Sequence, residues 1–232
     1  MSCRVAMLRL EEKGLIRLPE PKITPGPVKA VKRTLQGEPR PDIRFKAGQV
    51  KLSIQAVDKR TSPLWNELID RYHYLGYQRM GGAQMRFWVR ADDQLIALLG
   101  FSAAAWKVQP RDSFIGWSEA QRKKNLHLVV GNSRFLILPW VYAKNLASRI
   151  LSLAAKQLPV YWQKRYKYLP VLMETFVEKN RFAGTCYQAA NWICLGQTQG
   201  RGKWDRQNNH HKPVKAVWVY PLDKRFKERL CR

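Results

Sequence analysis

The order of apolar segments is the feature that most constrains what this chain can fold into. From residue 49 onward, strand-like and helical segments alternate in the order strand, helix, strand, strand, irregular region, strand, helix, strand, helix, strand. QMRFWVRA and QLIALLGFSAA flank a turn and predict a hairpin, whereas RFLILPW and YLPVLMETFV are apolar throughout and each precedes a helix. The sequence therefore predicts an α/β protein with a mixed sheet flanked by helices.

This layout resembles the GCN5-related N-acetyltransferase (GNAT) fold. In that fold the sheet splays between its fourth and fifth strands, and the resemblance implies that the two fully apolar strands border such a gap, where an acyl group reacts. The loop after the fourth strand is Gly-rich in acetyl-CoA enzymes, but here it reads LPWVYAKNLAS, with bulky Trp140 and Tyr142. We therefore expect a GNAT-like domain over residues 48–232, with a basic C-terminal tail and without an ordinary acetyl-CoA site. The acyl donor, the cofactor and any metal stay unidentified.

Two short segments precede the domain. In residues 1–18, CRVAMLRLEEK predicts a helix that ends at Gly14, and LIRLP predicts a short strand. This helix-strand element is either the last part of a winged helix-turn-helix or an N-terminal helix that docks on the main domain. Residues 19–47 contain six prolines and hardly an apolar cluster, which predicts a basic, extended linker.

Positive charge dominates the composition. Forty-two Lys and Arg residues against seventeen Asp and Glu give a formal net charge of +25, and such a field needs a polyanionic partner. Nine Trp, nine Tyr and eight Phe residues suit base stacking and contacts with arginine. We expect DNA rather than an acidic membrane surface as the partner, because no predicted helix has its cations on one face beside a bulky apolar face.

The loop QTQGRGKWDRQNN predicts a contact with nucleic acid. Its glycines let the backbone approach a ligand, its basic side chains supply charge, and its tryptophan supplies a stacking face. A solvated basic hairpin is the alternative for this loop, and a solvated tether is the alternative for the linker. The predicted nucleic-acid-binding residues of the loop and the linker are Arg201, Lys203, Trp204, Arg206, Lys32 and Arg33.

The sequence predicts neither a membrane span nor a secretion signal. No stretch reaches the roughly 18 uninterrupted apolar residues of a transmembrane helix, and charges interrupt the N-terminal segment. Cys3, Cys186, Cys194 and Cys231 form no CxxC pair, which fits a reducing compartment. We therefore expect a soluble, cytoplasmic protein, and the sequence gives no indication of its oligomeric state.

Glu174 is the first candidate for chemistry. Strand alternation places this carboxylate on an otherwise apolar face of YLPVLMETFV, where an unpaired charge would cost several kcal/mol. Two interpretations stay open. Either a basic residue neutralises it, with Arg134 on the neighbouring strand as the candidate, or its pKa is adjusted for general base catalysis.

His73 and Tyr74 form the second candidate, within the aromatic cluster YHYLGY at the end of the first helix of the domain. A neutral imidazole in that place is suited to act as a base or as a ligand of iron or zinc. The alternative interpretation is that His73 is a packed structural residue in an aromatic patch.

The helix after YLPVLMETFV contains three further candidates. The GNAT resemblance implies that Tyr187 protonates a departing thiolate, whereas the alternative is an aromatic anchor that packs the helix on the sheet. Gly184 and Thr185 open this helix, where free backbone N–H groups favour an anion. We assign four residues to anion or cofactor binding: Gly184, Thr185, Asn132 and Arg134.

Five segments in combination carry a family resemblance. They are MSCRVAMLRLEEKGLIRLP, RYHYLGY, GNSRFLILPWVYAKNLASRIL, METFV and FAGTCYQAANWICLGQTQGRG. Together they resemble the DruA family of the Druantia anti-phage systems. This resemblance implies bacterial phage defence or mobile DNA, and it supplies no settled catalytic residue. His73 and Tyr74 also resemble an early His-Tyr pair in the Mom DNA-modification protein of phage Mu.

Three functions are compatible with these features. The first is a DNA-binding defence protein that modifies a nucleobase by acyl-type transfer, with His73, Tyr74, Glu174 and Tyr187 lining the catalytic cleft. The second is a non-catalytic DNA-binding scaffold that recruits other proteins of the defence system. The third is a transposition accessory factor. A transposase itself is not expected, because too few acidic residues lie at strand ends for its active site.

Overall fold

The computed structural model describes residues 3–19, 30–200 and 213–232. The chain divides into two compact units after Ala30, and the smaller unit holds one described helix, α1 (Cys3–Glu12). Gly14 ends this helix with a left-handed φ of +68°, and its N–H group and that of the next residue donate to carbonyls of the last turn. No strand follows up to residue 19, so the predicted strand LIRLP is not formed.

The larger unit has nine strands and six α-helices within its described residues. They are β1 (Ile43–Arg44), β2 (Leu52–Ala56), α2 (Ser62–Tyr72), β3 (Gln84–Ala91), β4 (Gln94–Ala103), α3 (Gln109–Ile115), α4 (Glu119–Asn125), β5 (Val129–Ile137), β6 (Val141–Tyr142), α5 (Leu146–Tyr166), β7 (Leu172–Glu178), α6 (Thr185–Ala189), β8 (Ile193–Gln197), β9 (Lys215–Pro221) and α7 (Phe226–Leu230). Seven strands form one mixed sheet in the order β2-β3-β4-β5-β7-β9-β8, in which β5 and β7 are the parallel pair. This architecture confirms the predicted GNAT-like α/β fold.

Local sequence signals explain several boundaries of these elements. The β3–β4 hairpin turns at Asp92, whose φ of +49° is the left-handed conformation that short polar residues tolerate. Ser118 opens α4 with a capping box, in which side chain and backbone exchange two hydrogen bonds. The segment AKNLASRILSLAAKQL predicts a helix that ends at Leu158, but α5 continues to Tyr166, because the buried Trp162 extends its apolar face.

The segment GTCYQAANWICLG predicts a single helix, and this prediction is wrong in its second half. The helix α6 ends at Ala189, and β8 follows it and pairs antiparallel with β9. Asn191 has a left-handed φ of +61°, so the chain turns there before the β-branched Ile193 begins the strand. The run of small residues resembles helix composition, but it is too short to outweigh these two signals.

Two hydrophobic clusters hold the sheet and its helices together. The larger one packs the first half of the sheet against α2 and α5 and includes Trp65, Phe87 and Trp162, each at most 1% exposed. The smaller one packs α3 and α7 against β7 and β9. Both clusters contain residues of β5 and β7, so these two strands are fixed on both sides. Among the described helices, none combines the length and the apolar character that a bilayer crossing requires.

Residues 31–47 pack within the larger unit, although they belong to the predicted linker 19–47. The N–H and hydroxyl groups of Thr34 donate to the buried carboxylate of Glu67 on α2, both at 2.7 Å. In addition, β1 pairs in parallel with β6, the short strand that follows β5. This part of the chain is therefore attached to α2 and to the loop after β5.

Candidate functional site

The strands β5 and β7 separate along their length, and a cleft opens between them. Their parallel pairing ends at Asn132 and Thr175, although β5 continues to Ile137 and β7 to Glu178. The cleft has a volume of about 590 Å³ and is lined by both strands, by the end of α2 and by residues 181–187. It lies at the splay that the GNAT resemblance implies, and its volume is that of a small-molecule site.

Seven predicted site residues meet in this cleft. They come from three segments of the chain and are His73, Tyr74, Asn132, Arg134, Gly184, Thr185 and Tyr187. Trp140 and Tyr142 are not among the lining residues, so the bulky loop after β5 leaves the cleft open. The fold thus brings the predicted catalytic and anion-binding residues together, with Glu174 as the exception.

His73 follows the last residue of α2 and stacks on Tyr74, with ring centroids 4.9 Å apart. Its Nδ1 accepts a hydrogen bond from the N–H group of Leu75 at 3.2 Å, which leaves the proton of the neutral ring on Nε2. Burial, and next the charge of Arg134, lower the pKa of His73 to about 4. The ring is therefore neutral at pH 7 and presents an N–H donor. The described residues contain no group of three metal-ligating side chains that would make it part of a metal site.

Tyr74 provides the exposed aromatic surface of the cleft. The guanidinium of Arg181 lies 5.2 Å from the centre of its ring, and the ring of Phe182 lies 5.3 Å away. Burial, followed by the nearby Glu178, raises the pKa of the Tyr74 hydroxyl, so this group stays protonated. A planar ligand group in the cleft would find a stacking surface here.

Tyr187 anchors the end of the cleft where the two strands part. Its hydroxyl donates to Oδ1 of Asn132 at 3.1 Å, and Nδ2 of Asn132 donates in turn to the carbonyls of Gly100 and Arg134. The hydroxyl of Thr175 donates to the backbone oxygen of Asn132. Burial raises the pKa of Tyr187, which makes its hydroxyl a weak acid. The geometry therefore fits the anchor interpretation of Tyr187.

Arg134 is 8% exposed and lines the same cleft. Its Nε donates to the carbonyl of Gly76 at 3.2 Å, and its Nη1 donates to the carbonyl of Ser133 at 2.7 Å. Burial lowers the pKa of its guanidinium, and the nearby Tyr74 opposes this effect. The predicted ion pair between Arg134 and Glu174 is not formed.

Glu174 lies outside the cleft, in a buried ion pair with Arg111. Both side chains are completely buried, and Nη1 of Arg111 donates to the carboxylate at 2.7 Å. The N–H group of Ala105 donates to the other carboxylate oxygen, and Arg111 also binds Asp112. Burial raises the pKa of Glu174, while Arg111 opposes this effect. The prediction that Glu174 lines the cleft is therefore corrected: this carboxylate connects β7 to α3 and the residues before it.

Gly184 and Thr185 begin α6 beside the cleft. Gly184 has a left-handed φ of +77°, and a Cβ atom at this position would lie 2.9 Å from the ring of Trp218. This glycine is therefore required for packing and for the turn. Thr185 is exposed, and α6 has only five residues. Anion binding by this pair stays a prediction.

The predicted nucleic-acid-binding residues are only partly within the described chain. Arg201, Lys203, Trp204 and Arg206 lie outside the described residues. Lys32 is exposed, and Arg33 donates to Asp70 of α2 at 2.7 Å. Arg33 is thus one of the contacts that attach residues 31–47 to α2.

Sequence analysis missed a basic groove between β2 and α5. We call it the α5 groove; it has a volume of about 490 Å³ and its cations are Lys51, Arg149 and Lys156. All three are exposed, none forms an ion pair with another described residue, and no carboxylate lines the groove. The available signal was the spacing of Arg149, Ser152 and Lys156, which places them on one face of a helix.

A mixed sheet whose two parallel strands part over an open cleft defines this molecule as a GNAT-like α/β protein. The chain belongs to the DruA family, because the model of that family, described as Druantia protein DruA, matches residues 27–227. Family and fold together describe a defence-related protein built on a GNAT-like mixed sheet.

Several solved acetyltransferases are similar to the chain in structure. Aminoglycoside acetyltransferase AAC(6')-Ib in complex with coenzyme A has 12% sequence identity and a TM-score of 0.48, with 77% of this chain and 98% of that chain covered. A GNAT acetyltransferase from Streptococcus pneumoniae has 9% identity and a TM-score of 0.48, covering 75% of this chain and 100% of the other. The ribosomal-protein-S18-alanine N-acetyltransferase from Escherichia coli has 9% identity and a TM-score of 0.44, with coverage of 75% and 95%. No curated protein matches the chain in sequence.

Proposed function

We propose that this protein binds DNA in a bacterial defence system and receives one extruded nucleotide in the cleft between β5 and β7. The observation that carries the proposal is the α5 groove, in which three exposed cations lie together without a carboxylate. Contacts between cations and phosphates supply most of the sequence-independent affinity for DNA. A net charge of +25 supports the same partner.

The helix α6 connects the α5 groove to the cleft. Its last residue, Ala189, lines the groove, and its first residues, 185–187, line the cleft. A DNA strand that follows the groove therefore passes within one short helix of the cleft. This proximity supports a single binding surface that includes both concavities.

The cleft has a suitable surface for an extruded base. Extrusion from a duplex costs a few kcal/mol, and stacking on an aromatic side chain offsets part of that cost. Tyr74 is 38% exposed and has His73 stacked on it and Phe182 beside it. Stacking on such a surface tolerates any base, because every base has a π-face.

The side chains of the cleft support binding better than they support catalysis. General acid–base catalysis favours groups whose pKa lies near the working pH. The pKa of His73 is lowered to about 4, that of Tyr187 is raised, and Glu174 is held by Arg111 outside the cleft. We therefore propose that the protein acts as a DNA-binding scaffold for other proteins of the defence system.

Acyl-type transfer to a nucleobase is the second candidate function. It is favoured by one observation, namely that the cleft is open at the splay where the GNAT resemblance places the reacting acyl group. Mass spectrometry of nucleosides from cells that express the protein tests it. A new nucleoside that appears with the wild type and is absent with His73→Gln would favour transfer over the scaffold function.

The DNA-binding proposal is tested with the triple variant Lys51→Gln, Arg149→Gln and Lys156→Gln. Each lost phosphate contact lowers the slope of log K against log salt concentration by about 0.9, so three contacts lower it by about 2.7. At about 0.15 M salt this change corresponds to roughly 100-fold weaker binding. Fluorescence anisotropy with labelled duplex and single-stranded DNA measures both quantities.

A matched control removes the same charge elsewhere. Lys107, Lys124 and Lys224 are exposed and do not line the α5 groove, so their joint replacement by Gln changes the net charge equally. We expect this control to retain most of the affinity and of the salt slope. An equal loss in the control would show diffuse attraction instead of a groove. A wild-type chain that fails to bind DNA at low salt would reject DNA binding altogether.

A further inference from the structure

Arg134 differs from the other buried arginines of the described chain in its partners. Three arginines are less than a tenth exposed: Arg111, Arg122 and Arg134. Arg111 binds the carboxylates of Glu174 and Asp112, and Arg122 lies 3.6 Å from Asp112. No carboxylate among the described residues pairs with Arg134. Its positive charge therefore has no counter-ion in the described protein.

The guanidinium of Arg134 also has unused donors. It has five N–H groups, of which Nε–H binds the carbonyl of Gly76 and one Nη1–H binds the carbonyl of Ser133. The other three N–H groups have no acceptor in the described protein. Nη2 is accessible to solvent, and the two neutral carbonyls leave the charge itself uncompensated. An anion in the cleft supplies the missing charge and replaces water on these donors.

The neighbouring groups define the charge of that anion. His73 is neutral, and the exposed Arg181 is already paired with Glu178 at 3.2 Å. Arg134 therefore contributes one uncompensated positive charge to the cleft. A planar fork of N–H groups binds carboxylate and phosphate oxygens in pairs, and the Nε2–H group of His73 adds a further donor.

We infer that the cleft between β5 and β7 binds a singly charged oxyanion at Arg134, either the phosphodiester of a bound nucleotide or the carboxylate of a small ligand. This inference rests on the proposed function in assigning the cleft as the ligand site. It adds that the ligand must carry a negative charge into the cleft. The two sources share one chemistry, and the test distinguishes them.

The test uses two pairs of probes on the full chain, and the members of each pair are similar in size and differ in charge. The dinucleotide thymidylyl-thymidine contains one phosphodiester, and its methylphosphonate-linked analogue is the neutral counterpart. Phenylacetate contains one carboxylate, and phenylacetamide is its neutral counterpart. Binding is followed by NMR of the histidine ring signals, and the His73 signal is the one absent from His73→Gln. A shift of that signal locates the probe in the cleft.

We expect one charged probe to bind roughly 10- to 100-fold more tightly than its neutral counterpart, as for hydrogen bonds to charged groups. Arg134→Gln should abolish this difference. Arg134→Lys should retain part of it, because the charge remains without the fork. Arg181→Gln, which removes a cleft cation that already has a partner, should retain it. A preference for the dinucleotide identifies a phosphodiester site, and a preference for phenylacetate identifies a carboxylate site.

The inference is overturned if neither charged probe binds in preference to its neutral counterpart. It is also overturned if Arg134→Gln keeps the preference, or if Arg181→Gln loses it to the same extent. Thermal melting shows whether Arg134→Gln is folded; if it is not, the partial loss expected of Arg134→Lys decides. Loss of DNA binding in the α5 groove variant leaves the probe experiment unchanged, so failure of the proposed function and failure of this inference are separate results.

Discussion

The buried pair of Arg111 and Glu174 leads to a prediction about stability. Both side chains are completely buried, and the guanidinium also donates to the carbonyl of Ala105 and to Asp112. Arg111→Met would leave the Glu174 carboxylate buried with only the N–H group of Ala105 as a partner. Removal of one partner of a buried ion pair destabilises a protein by about 3–5 kcal/mol. For a chain of this size, each kcal/mol lowers Tm by about 2–4 °C, so we expect a decrease of roughly 6–20 °C.

Urea unfolding followed by far-UV circular dichroism measures this effect in a double-mutant cycle. Arg111→Met combined with Glu174→Met should be more stable than Arg111→Met alone, because the uncompensated carboxylate is then absent. Lys123→Met is the control, since it breaks an exposed ion pair with Glu119 and should cost less than about 1 kcal/mol. A cost below about 1 kcal/mol for Arg111→Met, with no coupling in the cycle, would refute the argument that this pair holds β7 against α3.

Two further predictions concern buried hydrogen bonds. Burial alone would raise the pKa of Glu67, but hydrogen bonds from Thr34 and Arg71 outweigh burial and lower it below its ordinary value of 4.5. Its stabilising contribution is therefore present above about pH 4.5 and is lost as the pH falls through the lower folded-state pKa. Urea unfolding between about pH 6 and pH 3 should show a steeper loss of stability for the wild type than for Glu67→Gln, and parallel curves would contradict this assignment. Tyr187→Phe leaves Oδ1 of Asn132 without its donor and should cost about 1–3 kcal/mol, whereas the same change at the exposed Tyr142 should cost almost nothing; equal effects would show that the Tyr187 hydroxyl does not hold the strands.

Local patterns in the sequence were sufficient to predict six of the seven strands of the main sheet, whereas the position of the cleft was implied by the GNAT resemblance. The hairpin and the apolar strands have periodicities that depend on near neighbours alone. Once β5 and β7 are identified as parallel neighbours, the topology places Asn132, Tyr187 and the end of α2 at the gap between them. With the gap that the GNAT resemblance implies, the residues of the cleft could be predicted without knowledge of any side-chain contact.

The partner of Glu174 could not be predicted in this way. Arg111 lies 63 residues before it, in a region whose two short helices have no strong apolar periodicity. Arg134 was the expected partner because it lies on the neighbouring strand β5. The register of β5 and β7, however, places Gly131 opposite Glu174. The α5 groove escaped prediction for a similar reason, because Lys51 joins it from the residue before β2, and the packing of β2 against α5 depends on the whole fold.

The short length of α6 determines how far the α5 groove lies from the cleft between β5 and β7. Its five residues span about 7.5 Å at 1.5 Å per residue. Successive phosphates of one DNA strand are about 3.4 Å apart along the duplex axis. If a strand is held in the α5 groove, the base that enters the cleft then stands about two steps beyond the last anchored phosphate. The number of nucleotides between the bound phosphates and the base in the cleft would then be constant. Which base enters the cleft would depend on where the backbone is bound and not on the intervening sequence.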